Sequence, residues 1–236
     1  MRAVRYVVAT VFYTVYYATR VIVAALVGIR QRPGGLYDRM QRAYGVAMLR
    51  ATRMELDIEG CDRIPAGQPV VFVANHESWV DIWALLAGLP GTIRFVFKKE
   101  LGRVPFLGQA LNAMEHISID RANRSSAFAA YDRAADQIRG GTSAIVFAEG
   151  TRSRDGKLKA FKKGPFVLAI AAQAPVVPVL CDDTFERLPK GSISPRPGTV
   201  RVKIGQPIPT VGLDYEAREQ LADRTRAALL ELGAVE

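Results

Sequence analysis

Short apolar runs alternate with helix-like stretches along most of the chain. Runs with the length of buried strands lie at 70–74, 93–97, 117–119, 143–148, 176–180 and 200–204. Helical patterns lie near 35–54, 79–89, 105–113, 123–139, 165–173 and 214–232. This alternation predicts an α/β fold, with a mixed, largely parallel sheet flanked by helices on both faces. Ligands of such sheets gather at the carboxyl ends of the strands, so we expect the functional residues there.

The N-terminal residues follow a different pattern. Residues 6–29 are apolar or aromatic apart from small residues, and Arg20 is their only charged member. As a helix this segment would measure about 36 Å, which is enough to cross a bilayer. Arg20 divides it into two parts that are each too short to span alone. A spanning helix and a membrane-embedded helix bent near Arg20 are therefore both open, and a secretory signal peptide is a third interpretation.

Six arginines follow the apolar segment, namely Arg30, Arg32, Arg39, Arg42, Arg50 and Arg53. Basic residues in this position favour the cytoplasmic face of a membrane and contact with anionic headgroups. We therefore expect a membrane-associated helical anchor over 1–54 and a single α/β domain over 55–236. The expected location is the cytoplasmic face of the cell membrane.

Composition narrows the possible partners. The chain has 236 residues, 49% of them hydrophobic, which excludes wholesale disorder. Its formal net charge of +9 indicates an anionic partner, which could be nucleic acid, a phosphorylated substrate or an acidic membrane surface. Two cysteines are too few for a disulfide framework or a cysteine-based zinc site. Because there are only two histidines, His76 and His116, any imidazole chemistry must use one of them.

One candidate pair of chemical groups follows the run at 70–74. His76 lies where strand gives way to helix, and a histidine there can accept a proton from a hydroxyl. Asp81 could fix its tautomer and orientation, provided that His76 lies in the loop and Asp81 reaches back from the first helical turn. The alternative is structural, because Ser78 and Asp81 have the spacing of a capping box, in which Asp81 only satisfies a backbone N–H. The residues themselves leave both interpretations open.

Two further strand ends carry side chains suited to phosphate. Glu149, Gly150, Thr151 and Arg152 follow the run at 143–148. There the glycine permits close backbone approach, the threonine offers a hydroxyl, and the planar arginine matches a phosphate group. Arg121 follows the run at 117–119 in the same way. A turn with a solvated arginine is the alternative interpretation of the segment at 149–153.

Four blocks of sequence point to a known family. Asn75, His76 and Asp81 fit the pattern N-H-x-x-x-x-D, and Lys98 opens a K-x-E-L-G-x-x-P-x-x-G block that is followed by I-x-I-D-R at 117–121. Residues 147–153 read F-A-E-G-T-R-S and residues 177–179 read V-P-V. In this order the blocks resemble the glycerolipid acyltransferases, specifically the lysophosphatidic acid acyltransferases of bacteria, over roughly residues 70–180.

Three positions depart from the family pattern. Ala148 replaces the usual proline of the third block, and Ser118 occupies a position that is frequently aromatic. Neither change removes a reactive group. Glu115 stands where glycine is common, and its negative charge near the expected phosphate site bears on the choice of substrate.

The resemblance implies a specific reaction. His76, oriented by Asp81, would act as general base on the free secondary hydroxyl of lysophosphatidic acid. The acyl group would come from acyl-CoA or acyl-carrier protein as co-substrate and give phosphatidic acid, without a covalent acyl-enzyme, a cofactor or a metal. The resemblance places substrate contacts at Asn75, Ser78, Lys98, Arg121, Glu149, Gly150, Thr151 and Arg152. It also gives the N-terminal anchor a reason, since acceptor and product are membrane lipids.

Other functions would require different sequence features. Glycerol-3-phosphate, a lyso-aminolipid or a glycolipid acceptor fits the same blocks. A lipid esterase would be expected to carry a G-x-S-x-G elbow, which the sequence lacks. A nucleic-acid-binding module would interleave aromatic and basic residues, whereas the lysines here cluster beside the candidate phosphate sites. We therefore expect lipid partners and no nucleic acid.

Overall fold

The computed structural model describes residues 2–120 and 124–236. Its seven strands are β1 (Met54–Glu59), β2 (Val71–Ala74), β3 (Ile93–Lys98), β4 (Ile117–Ile119), β5 (Ser143–Phe147), β6 (Val176–Asp182) and β7 (Gly198–Ile204). Its α-helices are α1 (Arg2–Leu26), α2 (Leu36–Thr52), α3 (Val80–Gly88), α4 (Leu107–Ala113), α5 (Arg124–Arg139), α6 (Gly164–Ala172), α7 (Thr184–Arg187) and α8 (Arg218–Glu231). Short 3₁₀ helices lie at Cys61–Arg63, Lys99–Arg103 and Tyr215–Ala217.

The strands form one sheet in the order β1-β7-β6-β2-β5-β3-β4. Neighbouring strands are parallel except β6 and β7, which are antiparallel. The predicted mixed, largely parallel sheet is therefore confirmed. Strand β2 lies between β5 and β6, so the loop that follows β2 meets the residues that follow its two neighbours.

Strand β2 shows why the apolar runs are continuous. All four of its residues are buried. Phe72 and Ala74 pack with residues of α2 and α3 on one face of the sheet, whereas Val71 and Val73 pack with residues of α5, α6 and α8 on the other. Because helices cover both faces, neither set of alternating positions is polar.

Strand β1 was not predicted. Its sequence, Met-Glu-Leu-Asp-Ile-Glu, places an acidic side chain at every second position, and its burial alternates accordingly. It lies at an edge of the sheet, where those side chains reach water. Its sequence therefore contains no continuous apolar run, although alternation of this kind is the ordinary signature of a half-buried strand.

Helix α1 runs without interruption past Arg20. One side packs through Ala18, Val21 and Ala24 against residues of α2 and α4. The remaining surface exposes large apolar side chains, among them Val4, Val8, Val11, Phe12 and Leu26. Within the described residues it is the one helix whose length and composition are sufficient to cross a membrane.

Helix α2 packs as part of the α/β domain. Its residues Met48 and Leu49 belong to the same buried cluster as Phe72 of β2. Arg42 donates hydrogen bonds to the carbonyls of Ala87 (3.0 Å) and Leu89 (2.7 Å), so this arginine caps the end of α3. Its guanidinium is held by backbone carbonyls of the domain, and contact of the arginines that follow α1 with lipid headgroups stays a prediction.

Candidate active site

The loop after β2 holds His76 against Asp81 of the first turn of α3. Nδ1 of His76 lies 2.7 Å from Oδ2 of Asp81. The same oxygen accepts backbone N–H groups of Glu77 at 2.8 Å and Ser78 at 2.9 Å. Asp81 thus both accepts backbone N–H groups of the loop before α3 and orients the histidine, so the structure combines the two tasks that the motif suggested.

These contacts determine which ring nitrogen is available for chemistry. An ionised carboxylate can only accept hydrogen bonds, so the Nδ1 that faces Asp81 carries the hydrogen of the neutral ring. Nε2 then presents its lone pair, and no hydrogen bond occupies it within the described part of the chain. The His76 side chain is 13% exposed, whereas that of Asp81 is fully buried. A histidine in this tautomer is arranged to take a proton from a hydroxyl.

Strand β5 and its following loop position the ring and backbone of His76. The imidazole stacks on the ring of Phe147 at 3.8 Å between centroids, with an interplanar angle of 11°. The backbone N–H of His76 donates to Oε1 of Glu149 at 2.8 Å, and its carbonyl accepts from the N–H of Ser153 at 2.7 Å. Oε2 of Glu149 also accepts the N–H of Lys159 at 3.1 Å. The buried Glu149 therefore joins two loops to the histidine and is held by backbone groups.

Asn75 and Ser78 hold the loop from the other side. The Asn75 side chain exchanges two hydrogen bonds with the backbone of Cys181 in β6, accepting at 2.7 Å and donating at 3.0 Å. Ser78 Oγ donates to the carbonyl of Leu188 at 2.7 Å and accepts from the N–H of Val80 at 3.1 Å. Both residues are buried. Their polar atoms are committed within the protein, so we interpret them as positioning residues and correct the expectation of direct substrate contact.

Two carboxyl groups beside His76 have strongly raised pKa values. Burial, and then the charge of Asp81, raises the pKa of Glu77 to about 8, although the Asn75 amide opposes this shift. Burial raises the pKa of Glu149 to about 7 against the opposing hydrogen bonds from the backbone of His76 and Lys159. Since Asp81 contributes to both shifts, the neutral forms of these acids limit repulsion of its charge.

The Glu77 shift predicts a pH-dependent stability. Below about pH 4.5 both the folded and the unfolded chain hold the proton, whereas between about 4.5 and 8 only the folded chain keeps it. The free energy of unfolding therefore falls as pH rises through this window. Glutamine does not titrate, so we expect Glu77→Gln to lose less unfolding free energy between low and high pH than the wild type. The expected difference is on the order of 1–3 kcal/mol after allowance for partial exposure.

The measurement is the unfolding midpoint in urea at pH 5 and pH 8.5. The Glu77→Gln protein should lose less stability between these pH values than the wild type. Glu231→Gln, an exposed site on α8, is the matched control and should follow the wild type. An identical pH dependence of Glu77→Gln and wild type would show that Glu77 is ionised in the folded protein.

Cationic groups border the histidine loop. The Arg152 guanidinium lies over the ring of Trp79, 4.7 Å from its centroid, and Trp79 is 36% exposed. Gly150 has φ of 71°, in the left-handed region that favours glycine and lets the chain turn directly after Glu149. The Thr151 hydroxyl accepts a hydrogen bond from Lys190 Nζ at 3.3 Å. Arg152 and Thr151 thus lie on the loop that contacts His76.

Two predicted residues are not brought into this group. Lys98 ends β3, is 53% exposed, and pairs with Glu100 at 3.2 Å. No hydrogen bond or ion pair joins it to another predicted site residue in the described ranges. Arg121 lies outside the described residues. Among those described, no group of three or more His, Cys, Asp or Glu side chains could hold a metal ion.

Several neighbours of the site escaped the sequence analysis. Glu77 and Trp79 lie inside the N-H-x-x-x-x-D segment, and Phe147 lies at the start of the third block, so proximity to the motif was an available signal. Lys190 gave no such signal. It lies beyond the blocks, in the loop after α7, and only the folded chain brings it to Thr151.

Several known proteins are similar to this chain. Residues 55–182 match the acyltransferase family. The chain is 34% identical over 200 residues to the chloroplastic 1-acyl-sn-glycerol-3-phosphate acyltransferase BAT2 of Brassica napus, covering 80% of this chain and 58% of that protein. It is 32% identical over 178 residues to human 1-acyl-sn-glycerol-3-phosphate acyltransferase alpha, covering 75% and 63% respectively. The chain thus spans less than two thirds of the length of these relatives.

A solved structure matches over nearly the whole chain. The 1-acyl-sn-glycerophosphate (LPA) acyltransferase PlsC from Thermotoga maritima superposes with a TM-score of 0.80 at 28% sequence identity. The alignment covers 99% of this chain and 95% of that structure, so both the sheet and the N-terminal helices have counterparts there.

Proposed function

Because the chain belongs to the glycerolipid acyltransferase family, we propose that it transfers a fatty acyl group to the free secondary hydroxyl of lysophosphatidic acid, giving phosphatidic acid. The donor is acyl-CoA or acyl-carrier protein. The observation that carries the proposal is the His76–Asp81 pair, with Nε2 of the histidine open on the loop whose Trp79 contacts Arg152. A base and an anion-binding group are thereby available to one phosphorylated alcohol.

The arrangement supports direct transfer. Nε2 of His76 takes the hydroxyl proton while the hydroxyl oxygen bonds to the thioester carbonyl carbon. The tetrahedral intermediate then collapses, the carbon–sulfur bond breaks, and the leaving thiolate receives the proton from the imidazolium. Asp81 stabilises that imidazolium through the 2.7 Å contact with Nδ1. The protein's own residues return to their starting state, and no acyl-enzyme is formed.

The acceptor is tested with a panel of alcohols. Purified protein is incubated with one labelled acyl-CoA and, separately, lysophosphatidic acid, glycerol-3-phosphate, a lyso-aminolipid or a lysoglycolipid. We expect lysophosphatidic acid to give the highest kcat/KM. A higher value for another acceptor would keep the family and reaction type but reject the proposed substrate.

We further propose that α1 attaches the protein to the cytoplasmic face of the cell membrane. Support comes from its exposed apolar side chains, whose burial in lipid would be favourable. Arg20 donates a hydrogen bond to the hydroxyl of Tyr16 at 3.2 Å, which partly satisfies the one charge within residues 6–29. The acceptor and the product are amphipathic lipids, so attachment of α1 to the membrane places the active site beside the bilayer that contains them.

Attachment predicts that a charge on this surface weakens membrane binding. Val11 is 59% exposed on α1, and Val11→Asp should reduce co-sedimentation with phosphatidylglycerol-containing vesicles by about tenfold or more, given the cost of a carboxylate in lipid. Val211→Asp is the matched control, since Val211 is 75% exposed in a loop of the α/β domain. Equal vesicle binding by both variants would reject the α1 surface as the anchor.

A further inference from the structure

A second cationic position lies at the backbone carbonyl of Arg152, apart from the contact that its guanidinium makes with Trp79. The Arg152 carbonyl oxygen accepts hydrogen bonds from Lys159 Nζ at 3.3 Å and from Lys190 Nζ at 3.4 Å. Lys190 also donates to Thr151 Oγ1 at 3.3 Å. Two ammonium groups from distant parts of the chain are therefore held together around a single neutral oxygen.

This lysine pair lacks a counter-ion. Within the described residues, Arg152, Arg154, Lys159 and Lys190 form no salt bridge. Partial loss of water, and then the charges of Arg154, Lys159 and Arg152, lower the pKa of the Lys190 ammonium. Such an arrangement of like charges is unfavourable without an anion, and a phosphate oxygen between the ammonium groups would relieve it.

The nearby carboxylates are engaged elsewhere. Asp155 Oδ1 accepts from the Ser153 hydroxyl at 2.8 Å and from the backbone N–H of Lys157 at 3.3 Å. Glu149 is held by backbone N–H groups, and burial raises its pKa to about 7. Both carboxyl groups lie within electrostatic range of Lys159, but neither forms a salt bridge with Lys159 or Lys190, so neither takes the position of a bound phosphate oxygen.

The two cationic positions have different neighbours. The Arg152 guanidinium lies over Trp79 and within electrostatic range of Tyr6 in the apolar helix α1. The backbone that carries Lys159 packs beside the C-terminal helix, because the Lys159 carbonyl accepts from Arg226 of α8 at 3.1 Å. A lipid acceptor would approach from α1, whereas a water-soluble carrier needs no contact with that helix.

Resting on the proposed function, we propose that Lys159 and Lys190 bind phosphate groups of the acyl carrier. The ligand chemistry is the phosphorylated pantetheine arm, which coenzyme A and acyl-carrier protein share. Arg152 then serves the phosphate of the acceptor through its side chain. The reaction needs two phosphorylated substrates at one histidine, and the guanidinium of Arg152 and the lysine pair at its carbonyl offer one cationic group to each.

The test separates the two substrates kinetically. Lys190→Gln should raise the KM for acyl-CoA about tenfold, the loss expected for one charge-assisted hydrogen bond, without raising the KM for lysophosphatidic acid. With S-acyl-N-acetylcysteamine, a thioester that carries no phosphate, Lys190→Gln and wild type should show equal KM values. Arg152→Gln should give the opposite split, with a raised KM for lysophosphatidic acid.

Matched variants control for charge and folding. Lys163→Gln removes an exposed lysine paired with Glu219 at 3.4 Å and should leave all three KM values unchanged. Lys190→Arg keeps the positive charge and should restore most of the acyl-CoA affinity. Lys159→Gln repeats the test from the other member of the pair if Lys190→Gln does not fold.

Binding of carriers distinguishes the source of the phosphate and is independent of turnover. Isothermal titration of wild type and Lys190→Gln uses coenzyme A, 4′-phosphopantetheine and pantetheine as probes. Weaker binding of the first two assigns the contact to the phosphate shared by both carriers, and weaker binding of coenzyme A alone assigns it to the nucleotide phosphates.

Equal binding by the two proteins, or a raised KM for lysophosphatidic acid instead of acyl-CoA, would overturn the proposal. Wild-type protein that binds coenzyme A but forms no phosphatidic acid would instead overturn the proposed function.

Discussion

Replacement of His76 by alanine should lower kcat for acyl transfer by about 10²–10⁴-fold, the range that a positioned general base supplies. The side chain provides the open Nε2, and no second histidine can replace it. His116 is buried, its Nδ1 accepts the backbone N–H of Phe95 at 2.9 Å, and burial followed by the charge of Arg94 lowers its pKa to about 3. His116 therefore stays neutral and serves the fold.

The same variant should remain folded. The backbone N–H and carbonyl of residue 76 keep their contacts with Glu149 and Ser153 in the alanine protein. Circular dichroism and thermal unfolding check this point, and added imidazole should recover part of the lost rate by occupying the space beside Phe147. Turnover within a factor of a few of wild type would remove His76 from the mechanism.

Asp81→Asn should cause a loss of similar size, about 10²–10⁴-fold in kcat, because the imidazolium loses its negatively charged partner. The asparagine still offers an oxygen to the N–H groups of Glu77 and Ser78, so stability should change little. Asp81→Ala removes that acceptor as well and should additionally lower the free energy of unfolding by about 1–2 kcal/mol. The measurements are kcat and urea unfolding for both variants.

The pair of variants separates the two tasks of Asp81. If the carboxylate orients and stabilises His76, asparagine and alanine lose comparable activity but differ in stability. An asparagine variant with near-normal kcat would limit Asp81 to holding the loop before α3, since the amide oxygen would be sufficient for the contacts with the N–H groups of Glu77 and Ser78.

Much of the architecture follows from local pattern. Strands β2 and β5 are buried on both faces, and a buried parallel strand requires a continuous apolar run, so their positions are visible in the sequence. The carboxyl ends of parallel neighbours meet at one edge of the sheet, which is why His76 and Glu149 were expected together. Edge strand β1 and short helix α7 have weaker patterns because few of their residues face the core.

Side-chain roles were less accessible than positions. Asn75 and Ser78 belong to the motif, yet their partners are the backbones of Cys181 and Leu188, which lie more than a hundred residues away in the chain. The Lys159–Lys190 pair likewise forms only when the loop after α7 returns to β5. Such contacts depend on tertiary packing, so the spacing of residues along the sequence does not predict them.

The most direct test of the account is the initial rate of thiol release from acyl-CoA, measured with and without lysophosphatidic acid. We predict slow release without acceptor, fast release with it, and one phosphatidic acid formed per thiol, because the acceptor hydroxyl itself attacks the thioester. Fast release without acceptor, with free fatty acid as product, would show that His76 activates water and would contradict the account.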